Sequence, residues 1–144
     1  DYSYAALEAA ARRADDDAAI FDVNDQRFFN PDSMITEVIS AAAAAGAKVD
    51  TVGGLVKCVY RSLAANYAKE VKNLCGITGR DFKSVNIVGG GSQSAYLNEL
   101  TAESTGMKVT AGPVEGTVIG NLIVQMIASG EFADLGEARR AIVR

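Results

Sequence analysis

The chain has 144 residues, 49% of them apolar and 22% charged, which fits one folded domain with a sizeable core and excludes a disordered chain. A formal charge of −4 without a cluster of Lys or Arg argues against nucleic acid as a partner. There is no histidine, which removes Ser-His-Asp and Cys-His catalysis and histidine-ligated metals together.

Residues 3 to 14 read as an alanine-rich helix with Ser3 as its cap, and Asp15-Asp16-Asp17 as a solvated turn rather than a cation site. Ala19-Ile20-Phe21-Asp22-Val23 is a short strand candidate. Asn24 to Met34 forms a loop into a helix, with Asn30 as cap, Pro31 in the first helical position, and Phe28 or Phe29 stapling it to Ile35 and Val38. That helix is expected to run to Ala45 and stop at Gly46.

Over residues 54 to 74, Leu55, Val56, Val59, Tyr60, Leu63, Tyr67, Val71 and Leu74 recur at three- and four-residue steps, predicting a long helix with these side chains facing the core. Cys58 and Cys75 stand 17 residues apart in or near it, about 25 Å along a straight helix and too far for a disulfide. Two reduced thiols in a cytoplasmic protein follow as the expectation. No apolar run approaches the roughly 18 residues of a membrane span, and Asp1-Tyr2-Ser3-Tyr4 does not read as a signal peptide.

Ser84-Val85-Asn86-Ile87-Val88 has strand character and runs into Gly89-Gly90-Gly91-Ser92, then a helical pattern through Leu97 and Leu100 ending at Gly106. Three glycines remove every Cβ at the strand's end, permitting positive φ and close approach of a ligand to the backbone N–H groups. Ser92 is the expected N-cap, and a helix N-terminus offers unpaired N–H groups and partial positive charge. Strand, bare turn and helix start make a place for a nucleotide phosphate or sugar. Neither a dinucleotide fingerprint nor a P-loop is present, so the spacing alone does not say which nucleotide.

Met107 to Ala111 is a second strand, stopped by Gly112-Pro113. A helix from about Glu115 to Ser129 is apolar on most of its circumference and is expected to be largely buried. Gly116 and Gly120 would give it a flat strip for close packing, and Glu115 would complement its dipole. Residues 134 to 143 make a last short helix. The order predicts an α/β fold, most simply with parallel strands joined by right-handed crossovers. With so few strands under this much helix, the chain reads as part of a larger domain.

Asn24-Asp25-Gln26-Arg27-Phe28-Phe29-Asn30-Pro31, Ser62-Leu63-Ala64, Ile87 to Gln93 and Ala111-Gly112-Pro113-Val114-Glu115-Gly116-Thr117 resemble, in order, the C-terminal domain of the FGGY carbohydrate kinases. Asn-Asp-x-Arg-Phe and Gly-Pro-Val-Glu are features of the rhamnulokinase branch. The resemblance implies a partial ribonuclease H-like (actin-like ATPase) fold, few parallel strands covered by several helices. It also implies that residues 1–144 are a single domain, the nucleotide-side portion of a two-domain sugar kinase.

The implied activity is ATP-dependent phosphorylation of the 1-hydroxyl of L-rhamnulose, with Mg²⁺ on the phosphates. Gly90 would contact the nucleotide first, with Gly89, Gly91 and Ser92 beside it. No catalytic or metal-binding residue is expected here. The family's catalytic aspartate, sugar-binding residues and first phosphate loop lie upstream of anything matching Asp1, so the 144 residues alone are expected to be inactive. Ser94 stands where the family often has asparagine, and Glu99 and Glu103 replace a usual glutamine and aspartate. Expected partners are a nucleotide and a sugar, with neither nucleic acid nor membrane, and apolar surface left uncovered would favour a homodimer. The alternatives are a non-catalytic nucleotide-binding or interaction module on an actin-like scaffold, and a non-kinase α/β nucleotide-binding domain.

Overall fold

In a computed structural model, residues 3–14 and 19–142 are described; the Asp15-Asp16-Asp17 turn lies outside the described residues. Along them run helices α1 (Tyr4–Arg13), α2 (Met34–Ala44) and α3 (Val52–Thr78), strand β1 (Ser84–Ile87), helix α4 (Ala95–Thr105), strand β2 (Lys108–Ala111), and helices α5 (Gly116–Ala128) and α6 (Leu135–Ile142). Short 3₁₀ turns span Gln26–Phe28 and Gly90–Gln93. The fold is α/β. The strands form a two-stranded sheet in which Lys108 N–H bonds Lys83 O and Gly112 N–H bonds Ile87 O, so partners rise together and the pair is parallel. The contacts group the chain into two compact units, residues 1–86 with 94–110, and residues 87–93 with 111–144.

The first unit is built on α3, about 40 Å long at 1.5 Å per residue. Thr51 Oγ1 caps its start by accepting Gly54 N–H, and Gly79, in the left-handed region at φ 65°, ends it. Its most buried residues are small or polar: Gly53, Lys57, Cys58, Ser62 and Ala64. The predicted stripe is only half-buried, and Leu74 is 50% exposed. At Gly53, α1 lies almost backbone to backbone against α3. A Cβ on Gly53 would come within 2.5 Å of the carbonyl oxygen of Ala10. Lys57, itself buried, donates to Ala14 O at 2.6 Å, setting a cation on a carbonyl at the C-terminal end of α1.

Ala19 to Val23 is not a strand. Phe21 gives its N–H to Ser62 Oγ at 3.1 Å, so a hydroxyl on α3 takes the place of a ladder partner. The Phe21 ring lies 5.4 Å from that of Phe28, while Phe29 is 90% exposed and staples nothing. Helix α2 begins later than expected, capped by Ser33 rather than Asn30: Ser33 Oγ accepts both Thr36 N–H and the Thr36 hydroxyl. It ends at Gly46, φ 92°. Ala42, Ala47 and Cys58 form a core cluster with Ala19, Phe21 and Val49 against it.

In the second unit α5 packs on α6, with Ile123 and Ala138 buried. Burial of α5 is otherwise not achieved: Val118, Leu122 and Val124 are 55–64% exposed, because α6 meets one side of a helix apolar on nearly all sides. Gly120 faces open space and Gly116 makes ordinary contact with Val88, so the two do not form a packing strip. Before α6, Asp134 Oδ1 accepts Glu137 N–H and Glu137 Oε2 accepts Ala133 N–H, a reciprocal cap.

Gly53→Ala is expected to lower unfolding free energy by about 1–3 kcal/mol, since the clash is with backbone that cannot rotate away; urea denaturation checks this. Both cysteines are free. Burial pushes the Cys58 thiol up from its ordinary range, which opposes thiolate formation, whereas Cys75 is only half-buried. A thiol reagent should therefore modify Cys75 in the folded protein and Cys58 only after denaturant is added.

Candidate functional site

In the second unit the chain leaves β1 through Val88 and Gly89. Gly89 takes φ 82°, the one residue of the triplet in the left-handed region. Its N–H donates to Pro113 O at 3.1 Å, and its carbonyl accepts the Ser92 N–H at 3.1 Å and the Ser92 hydroxyl at 2.7 Å. These bonds close Gly90–Gln93 into a 3₁₀ turn beside the Gly112-Pro113 turn that ends β2. Gly112 N–H in turn donates to Ile87 O at 2.7 Å. The carboxyl ends of both parallel strands are thus tied together, the position where α/β sheets bind ligands.

The glycines differ in what requires them. A Cβ on Gly112 would meet Val88 Cγ1 at 2.8 Å and Ile87 O at 3.3 Å, so the protein itself needs glycine there. A Cβ on Gly90 or Gly91 would meet nothing within 4 Å, and both residues are exposed with φ outside the left-handed region. Nothing in the fold asks for glycine at 90 and 91. A cradle that a Cβ would fill is what close approach of a ligand needs.

Ser92 does not cap the following helix. It is buried and its hydroxyl is turned back to Gly89 O, so it shapes the turn. The cap, in the first unit, is Ser94: its Oγ accepts Leu97 N–H at 3.2 Å and donates to Glu8 Oε2 at 3.1 Å. Glu8 Oε1 also accepts Tyr96 N–H at 2.9 Å. Two of the N–H groups at this helix start, those of Tyr96 and Leu97, are therefore taken by a glutamate and a serine. Arg12 pairs with Glu99 at 2.6 Å and sits 4.6 Å over the Tyr96 ring. The hydrogen bond from Arg12 holds Glu99 below the usual carboxylate range, and that same bond raises Arg12.

The Asn24 loop also lies in the first unit. Asp25 accepts Arg27 N–H, which lowers its pKa, and pairs with the Arg27 side chain at 3.1 Å. Asn24 donates to Asn66 at 2.9 Å. An open groove of about 520 Å³ runs along Asn24, Asp25, Gln26 and Phe28, and another of about 240 Å³ lies between Phe21, Asp22, Asn66 and Lys69. Among the described residues no three Cys, Asp or Glu side chains converge on a metal position.

The bonds of Glu8 and the steric role of Gly112 are not legible in the sequence. Glu8 reads as one more surface charge on α1, its i,i+4 spacing to Arg12 being the lone signal. Gly112 reads as a strand stop. No helix of the described residues is long and apolar enough to cross a membrane.

The profile of the FGGY family of carbohydrate kinases, C-terminal domain, matches residues 1–129. The chain is 39% identical over 143 residues to the rhamnulokinase of Bacillus subtilis (strain 168), covering 99% of this chain and 30% of that protein. It is 42% identical over 144 residues to the rhamnulokinase of Enterococcus faecalis (strain ATCC 700802 / V583), with 98% and 29% covered. The rhamnulokinase of Klebsiella pneumoniae (strain 342) is 39% identical over 124 residues, with 85% and 25% covered. The chain thus spans less than a third of the length of these relatives. With the family profile covering most of its residues, and a glycine turn at the ends of two parallel strands, the chain belongs to the FGGY family of carbohydrate kinases.

Proposed function

We propose that this chain is the nucleotide-side portion of an ATP-dependent sugar kinase of the rhamnulokinase type, and that Gly90, flanked by Gly89 and Gly91, lies against the nucleotide. The observation that carries this is the open space at Gly90 and Gly91, where the protein's own packing gives no reason for glycine. Ser92 serves the site indirectly, holding the turn closed through Gly89 O. The sheet is read as part of a ribonuclease H-like domain.

In the reaction proposed for the longer protein, the 1-hydroxyl oxygen of L-rhamnulose attacks the γ-phosphorus of ATP. The bond from that phosphorus to the ADP oxygen breaks, and the hydroxyl proton passes to a base outside this chain. Mg²⁺ would neutralise charge on the phosphates, held by the nucleotide and by residues outside this chain. Phosphoryl transfer depends on holding both substrates in line, so these residues by themselves would bind nucleotide without turning it over. The rhamnulokinase names of the relatives support this substrate over other sugars.

Calorimetric titration of ATP and of ADP, each with Mg²⁺, tests the reading. Gly90→Val should weaken binding at least about tenfold, equivalent to about 1.4 kcal/mol, while leaving the melting temperature essentially unchanged. Unaltered affinity in a folded Gly90→Val protein would overturn the assignment. Gly112→Ala should do the reverse in kind, lowering stability by about 1–3 kcal/mol whether or not nucleotide is present.

A further inference from the structure

The ladder between β1 and β2 does not end in register. In a regular parallel ladder a residue donates to the residue before its partner and accepts from the residue after it. Gly112 donates its N–H to Ile87 O at 2.7 Å, so in register its own carbonyl would receive the N–H of Gly89. That N–H goes instead to Pro113 O, one residue further along, at 3.1 Å. The β2 side thus carries an extra residue at the strand end, the arrangement of a bulge, which bends the backbone there. The slip falls at Gly89, where φ reaches 82° and the chain leaves the strand for Gly90–Gln93. Gly89 is held on both sides. Pro113 O takes its N–H, and its carbonyl accepts the N–H and the hydroxyl of Ser92. All of these residues lie in the second unit.

We propose that Pro113 is a positioning residue for the glycine turn: its carbonyl holds Gly89 one residue out of register, and so sets how Gly90 and Gly91 are presented to a nucleotide. The inference rests on the nucleotide reading above. Gly90 and Gly91 have no side chains by which to be fixed, and a Cβ on either would meet nothing within 4 Å. Their placement therefore comes through the Gly89 peptide. Proline suits the acceptor position for two reasons. Its ring confines φ to about −65°, which limits the swing of the carbonyl that follows. It also brings no N–H that a slipped ladder would leave without a partner. The Pro113 side chain is exposed, so packing of the ring does not account for proline here. Proline can also stabilise a protein by restricting its unfolded chain. Pro31, the other proline of the chain, separates that effect from positioning.

Residue-resolved amide exchange of the chain, followed by Mg²⁺–ADP titration, tests this. Pro113→Gly, which frees φ, should speed exchange at Gly89 and Ser92 by about five- to tenfold, the factor for losing one hydrogen bond. Pro113→Ala should act in the same direction by a smaller factor, and serves if the glycine variant does not fold. Ser129, whose N–H bonds Gln125 O at the far end of α5, should change far less in both. Pro31→Ala, which loosens the unfolded chain alike, should leave Gly89 and Ser92 as in the wild type. ADP affinity should fall about five- to tenfold with Pro113→Gly and less with Pro113→Ala. An equal rise at Ser129 would make Pro113 a matter of general stability and overturn the proposal. Wild-type exchange at Gly89 in a folded Pro113→Gly protein would overturn it too. Faster exchange with unaltered ADP affinity would remove the positioning role and leave the nucleotide reading. Wild-type protein that binds no ADP would remove the nucleotide reading, while the exchange pattern would still show Pro113 holding the turn.

Discussion

The near-contact of α1 with α3 sets the terms for the first unit. At Gly53 the two helices come so close that a single methyl group would sit inside the Ala10 carbonyl. That closeness is why glycine stands at 53, while Cys58 is buried on another side of α3, in the cluster with Ala42 and Ala47. Two polar side chains of α3 bond to backbone nearby: Lys57 meets the end of α1, and Ser62 meets Phe21. Buried polar groups are tolerated on such a face because each has a defined partner.

The same closeness carries α1 to the start of α4. Glu8 and Arg12 lie one turn apart on α1 and address the first two turns of α4, one through its backbone and cap, the other through Glu99 and the Tyr96 ring. A helix start that reads in sequence as an open anion site is thereby filled by an internal anion. The glycine turn is instead shaped by its own backbone bonds and by the Ser92 hydroxyl.

The second unit is poorer in buried apolar surface. Ile123 and Ala138 are its buried apolar residues among those described, while much of α5 stays exposed. Its definition comes instead from backbone bonds between the two strand-end turns and from the steric demand of Gly112. Glycine thus plays opposite parts within one unit, required by the protein at 112 and meeting nothing in it at 90 and 91.

What the sequence determined by itself were the features governed by neighbours in the chain: both strands, the turn between β1 and α4, and the helix stops at Gly46 and Gly106. Propensity, periodicity and left-handed glycine act over a few residues, so their outcome is written locally. Tertiary structure decided which face of α3 is buried, that Ser94 and not Ser92 caps α4, that residues 19–23 bond to a hydroxyl and not to a strand, and that α5 is left uncovered. Each of these turns on a partner supplied from elsewhere in the fold. Glu8 and Ser94 are 86 residues apart and Phe21 and Ser62 are 41 apart, and no local pattern in the chain specifies that either pair will meet.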